Sequence, residues 1–202
     1  GAVEDVNVAL AGAVPNGETY RDAVSVTPDG RYIAFASRAS NLVVGDANGG
    51  DDIFVRDRLL RTIDLISVPG AGGQFPSVDW RAIVISEDGN FVAFHANKPP
   101  ASDSTFIRDR QAGVTTAIKG AASGPLAMSR DGRWVAFSTT DNLLLEDQGL
   151  CAGSGGATPT LDTYIFDRTT GQLSLEGPMG GCGSGLAGDF SADGRFLSIE
   201  GF

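Results

Sequence analysis

The sequence predicts an all-β chain: a propeller of four-stranded antiparallel blades, forming a partial ring of about three full blades plus partial units. Three observations carry this expectation. A short phrase recurs four times, as TPDGRYIAF from Thr27, SEDGNFVAF from Ser86, SRDGRWVAF from Ser129 and SADGRFLSI from Ser191. Recurrence over several tens of residues marks one supersecondary unit copied along the chain, and the spacings between successive Asp residues, 59, 43 and 62, are on the scale of a blade. A second phrase follows each of the first three copies, DIFVRDR from Asp52, STFIRDR from Ser104 and DTYIFDR from Asp162. The 202 residues include 28 Gly and hold no amphipathic run with helix caps, a composition suited to strands and turns.

Each repeat has the same internal order. An apolar run (residues 23–26, 82–85 and 125–128) leads to Ser or Thr, then Asp-Gly, then a second apolar run. Asp-Gly between two such runs signals a hairpin, because Gly accepts positive φ and Asp can bond the turn backbone. These runs are strands a and b. The β-branched and aromatic residues of the second phrase suit strand c, with Asp-Arg leading into a polar turn. A further run (62–67, 114–119 and 172–175) makes strand d. Strand b is apolar without alternation, which requires burial on both faces, as when blades stack. The small residue at Ala34, Ala93, Ala136 and Ser198 is expected where neighbouring sheets approach most closely.

This reading divides the chain into a partial strand d at 1–19, blades at 20–79, 80–122 and 123–184, and a partial blade at 185–202. Residues 6–10 read as the strand d of a preceding blade, and the last residues as strand b of a further one. A ring needs about four to eight blades, so further blades are expected from the parent chain or from another chain.

The formal charge is −10, from 25 acidic and 15 basic residues, which argues against phosphate-backbone binding. No stretch approaches the roughly 20 apolar residues that cross a bilayer as a helix.

The SxDGRxVAF hairpins, the passage NLVVGDANGGDDIFVRDR from Asn41 and the DRTTG turn from Asp167 together resemble the TolB-like propeller repeats, a bacterial group similar in style to WD-repeat propellers. The resemblance covers essentially the whole chain. It implies the propeller fold and a periplasmic or secreted location. It implies no single activity, because the group includes periplasmic binding scaffolds, surface proteins and domains attached to peptidases. The chain departs from the pattern where Leu60-Arg61 replaces the Thr-Gly turn, and where KPPASDS replaces the acidic b–c loop in the second blade.

The loop GDANGGDD is the first candidate site. Asp46, Asn48, Asp51 and Asp52 offer hard oxygen donors at close spacing, the ligand type of calcium. The competing reading is an Asx-rich turn in which Asp52 fixes the entry to strand c. Cys151 and Cys182 are the only cysteines and lie in long Gly-rich b–c and d–a connections. A meander brings those two connections to the same face, so a disulfide is expected, contributing about 3 kcal/mol. Phe75 and Trp80 flank a d–a connection and are candidates for surface recognition.

His95 is the single histidine, and the chain has no G-x-S-x-G elbow for it to serve. The spacing of Gly183, Gly185 and Gly188 matches a dinucleotide fingerprint but leads into a hairpin, where that chemistry needs a helix. Asp57, Asp109 and Asp167 recur at equivalent turns and read as turn caps. The expected function is a non-enzymatic extracytoplasmic scaffold that binds a protein or small ligand through its b–c and d–a loops. The alternative is the propeller of a larger hydrolase, either a peptidase or a carbohydrate-active enzyme.

Overall fold

The computed structural model describes residues 5–69, 73–98, 101–118, 126–141, 143–144, 161–176 and 185–201. Three four-stranded antiparallel sheets follow one another, each with its strands in chain order. The first holds β1 (Thr19–Val26), β2 (Tyr32–Ser37), β3 (Asp52–Asp57) and β4 (Thr62–Leu65). The second holds β5 (Ser77–Ile85), β6 (Phe91–Lys98), β7 (Ala101–Asp109) and β8 (Val114–Ile118). The third holds β9 (Leu126–Met128), β10 (Trp134–Thr139), β11 (Asp162–Asp167) and β12 (Gln172–Glu176). A two-stranded sheet of β13 (Gly185–Phe190) and β14 (Leu197–Gly201) comes last.

The recurrent phrase closes each a–b hairpin by one hydrogen-bond pattern. The Thr27 hydroxyl donates to Asp29 Oδ1 at 2.6 Å and accepts from the Tyr32 amide at 3.0 Å. The Asp29 carboxylate also accepts from the Arg31 amide at 2.9 Å, and Gly30 sits at φ +70. Ser86, Ser129 and Ser191 repeat the arrangement with Asp88, Asp131 and Asp193. Both side chains of the motif are therefore consumed by the turn.

Stacking explains the unbroken apolar run of strand b. Ala34 faces the second sheet in a cluster with Val92, Phe94 and Phe106. Ala93 faces the third with Met128, Val135 and Phe137, and Ala136 meets Ala187 of the last sheet. The small residue thus lies where the next sheet packs, and the large neighbours on the other face of the strand fill the preceding interface. Contacts between sheets run through the a strands, β1 on β5, β5 on β9 and β9 on β13. Gly89 packs so closely against the preceding blade that a Cβ there would lie 2.2 Å from the Tyr32 ring.

Two expectations change. The segment at residues 6–10 does not form a strand d: Leu10–Gly12 is a single 3-10 turn, with Ala11 at φ 56. A strand d needs a strand c beside it, and each described strand c already pairs with its own d. The segment instead bonds the b–c connection through the Leu10 amide to the Asn41 carbonyl at 3.0 Å, and Ala9 covers Phe35 and Phe54. The a strands β1 and β5 also begin earlier than their apolar runs, because register shifts at residues 19–24 and 79–83 break the alternation.

Candidate functional site

The described residues of the b–c and d–a connections of the first blade, 38–51 with 66–69 and 73–76, emerge on the face opposite the Asp-Gly turns. They are joined by side-chain bonds into one surface. The Gln74 side chain donates to Asp46 Oδ1 at 3.1 Å and accepts from the Ala47 amide at 2.7 Å. Asn48 donates to the Phe75 carbonyl at 2.9 Å while its own oxygen accepts from the Gly50 amide, an Asx turn. Tyr20 on β1 donates its hydroxyl to Asp51 at 2.8 Å, which raises the phenol's pKa.

Asp52 stands at the base of this loop, fully buried at the first position of β3. Its carboxylate accepts from the Ser67 hydroxyl at 2.5 Å, and the same hydroxyl accepts from the Ile53 amide. Burial pushes the Asp52 carboxyl up to about 6, against the opposing effect of the Ser67 and Asn48 hydrogen bonds. The four oxygen-bearing residues expected for calcium are thus each engaged within the loop. Among the described residues no group of three or more His, Cys, Asp or Glu is placed to hold a metal ion.

Phe75 corrects its expected place at the surface: it is 1% exposed. Its ring lies 4.5 Å from that of Phe106 and 5.8 Å from that of Phe94, so the d–a connection turns inward here to plug the first blade-to-blade interface. Trp80 lies within β5, and its side chain is outside the described residues. Cys151 and Cys182 are likewise outside them. His95 lies inside β6 rather than beyond its end, buried, with Nδ1 3.1 Å from the Thr105 hydroxyl.

The recurrent Asp residues of the c–d turns are caps, as their equivalence suggested. Asp57 accepts from the Leu59 and Leu60 amides, Asp109 from the Ala112 amide and Asp167 from the Thr169 amide and hydroxyl. Asp57 and Asp167 also receive two bonds each from Arg31 and Arg133, at 2.8 and 3.3 Å and at 2.9 and 3.2 Å. Those guanidinium groups hold both carboxyls below the usual range. Sequence reasoning missed this cross-strand pair, although its signal, Arg after Asp-Gly and Asp before Arg, is present in the first and third repeats.

No family model matches the chain, and no curated protein matches it. Solved structures do. The β-propeller domain of the Trilobed protease from Pyrococcus furiosus superimposes with a TM-score of 0.58 at 16% identity, over 94% of this chain and 51% of that one. A protein assigned as TolB from Agrobacterium tumefaciens gives 0.55 at 15% identity, over 88% and 52%. Porphyromonas gingivalis dipeptidyl peptidase 4 gives 0.54 at 12% identity, over 98% and 31%. The chain therefore has the TolB-like β-propeller fold and spans about half the length of the first two structures. Among the described residues no helix is long and apolar enough to cross a membrane.

Proposed function

We propose that this protein is a non-enzymatic, extracytoplasmic propeller scaffold that binds a protein or ligand through the face built by its b–c and d–a connections. The observation that carries this reading is the bonding of residues 46–48 to residues 74–75, which joins two connections into one preordered surface on a rigid sheet. The opposite face repeats the same turn four times and spends its Ser, Thr and Asp side chains on its own backbone. Val44, 88% exposed, stands out from the loop face, and Ala192 is exposed on the turn face.

A photo-crosslinking residue at Val44 is expected to trap a discrete adduct in the extracytoplasmic fraction of the source cells, whereas one at Ala192 is not. Adducts from Ala192 alone, or from neither position, would overturn the proposal. A second reading, that these blades belong to the propeller of a larger hydrolase, is favoured by coverage: the chain spans only 31% of the dipeptidyl peptidase. An adjoining catalytic segment in the full coding sequence would select that reading.

A further inference from the structure

The c–d turn of the first blade, Arg58-Leu59-Leu60-Arg61, differs in kind from its counterparts Arg110-Gln111-Ala112-Gly113 and Arg168-Thr169-Thr170-Gly171. Leu59 is 71% exposed and Leu60 65%, and among the described residues they are the one adjacent pair of exposed large hydrophobics. Their exposure belongs to the position within a blade rather than to this blade's place in the stack. The second blade packs on the first and the third on the second, yet Gln111, Ala112, Thr169 and Thr170 at the same two positions are also exposed. Water favours small or polar residues at such a tip, which is what the two later copies carry.

The backbone of this tip is already satisfied from within the blade. Buried Asp57 accepts from the Leu59 amide at 2.9 Å and from the Leu60 amide at 3.0 Å. The Arg58 amide donates to the Arg31 carbonyl at 2.9 Å, and the Arg61 carbonyl accepts from the Arg56 guanidinium at 2.9 Å. These groups can therefore leave water without losing their partners. The later turns share the Asp cap, and only the first joins it to two leucines and Arg61. Charge is arranged in the same sense. The carboxylates on either side are taken, Asp57 by Arg31 at 2.8 Å and Asp64 by Arg110 at 2.6 Å, which leaves the tip cationic in a chain of formal charge −10. Arg61 stands at φ 58, where its counterparts are Gly113 and Gly171, so a cationic side chain is kept here against backbone strain.

We propose that this turn is a docking point for a lipid surface bearing anionic headgroups: Leu59 and Leu60 enter the boundary between headgroups and acyl chains, and Arg61 pairs with phosphate. A hairpin tip suits this contact because it reaches the interface without carrying the charged sheet with it. Two leucines and a cation give weak, reversible attachment, since stable anchoring takes more apolar area. The negative charge of the whole chain opposes approach to such a surface, so the attachment is oriented, tip first. A second copy is the less favoured occupant, because tip-to-tip contact would set two Arg61 cations together with Asp57 and Asp64 already paired. The turn lies on the face of the Asp-Gly hairpins, where Arg58 bonds the Gly30 carbonyl, so docking leaves the b–c and d–a connections pointing away from the lipid. The inference is independent of the loop-face reading and uses none of its residues.

The probe is a vesicle of equimolar phosphatidylcholine and phosphatidylglycerol, mixed with the 202-residue protein and floated on a density gradient. A saturable fraction of the protein is expected to float. The pair Leu59→Gln and Leu60→Ala, which copies the tip of the second blade and so keeps the fold, should weaken this partitioning about tenfold or more. Arg61→Gly relieves the backbone strain, yet should weaken it about fivefold, the effect of one basic residue at an anionic surface. Circular dichroism should be the same for all three proteins. Absence of flotation, or flotation indifferent to the leucines or to Arg61, would overturn the proposal. So would sedimentation showing that the protein associates with itself through these leucines.

Discussion

Arg61 has a backbone φ of 58, in the left-handed region that Gly113 and Gly171 occupy at the equivalent turns of the next two blades. A side chain pays about 1–2 kcal/mol there, partly offset by the greater unfolded-state entropy of glycine. Arg61→Gly should therefore stabilise the protein by about 0.5–1 kcal/mol, read as a higher midpoint in urea with an unchanged slope. Asp52 makes a different prediction. Its folded-state pKa is raised to about 6, so the folded chain holds this proton more tightly than the unfolded chain does. The stability contributed by this group is fully present below the ordinary carboxyl pKa and is lost as pH rises through about 6. Asp52→Asn should flatten that slope and raise stability at pH 8 by about 1–2 kcal/mol, allowing for solvent screening, as measured by unfolding across pH 4–8.

At the scale of the element, Phe75 shows what a connection contributes to a blade. The described residues of the d–a segment carry no regular structure, yet the Phe75 ring completes an aromatic cluster with Phe94 and Phe106 from the neighbouring sheet. Phe75→Ala should cost about 3–4 kcal/mol, a loss belonging to blade stacking, and calorimetry should find the melting temperature lowered accordingly. The surface expectation failed for a physical reason: an aromatic between Gly-rich and Pro residues has no periodicity to say which way it points. Strand a was legible only beyond its bulge. Tyr20, Arg21 and Asp22, within the register shift of β1, and Asp79, before that of β5, carry no apolar signal, although they extend β1 and β5.

For the whole molecule, the two ends of the stack differ. The outer face of the first sheet is partly closed, since Phe35 and Phe54, with rings 5.7 Å apart, are covered by Ala9, Ala39 and Leu42. At the other end the last sheet holds, among the described residues, the hairpin of β13 and β14. The first end is thus covered by chain that was expected to be a strand, and the other repeats the a–b hairpin of the preceding blades.

The repeated hairpin was legible in full because its information is local: Ser or Thr, Asp and Gly bond one another within six residues, and no distant partner is needed. The small residue of strand b was also readable, since stacking imposes the same packing demand in every copy. Only the tertiary structure decided that Phe75 is core, that residues 6–10 abandon strand pairing, and that Asp46, Asn48 and Asp51 bond to Gln74, the Phe75 carbonyl and Tyr20. Each depends on what lies across from the residue, often more than twenty positions away. The sequence by itself determined the blade and its turns through short-range chemistry, whereas which groups remain available to a partner was set by long-range packing and pairing.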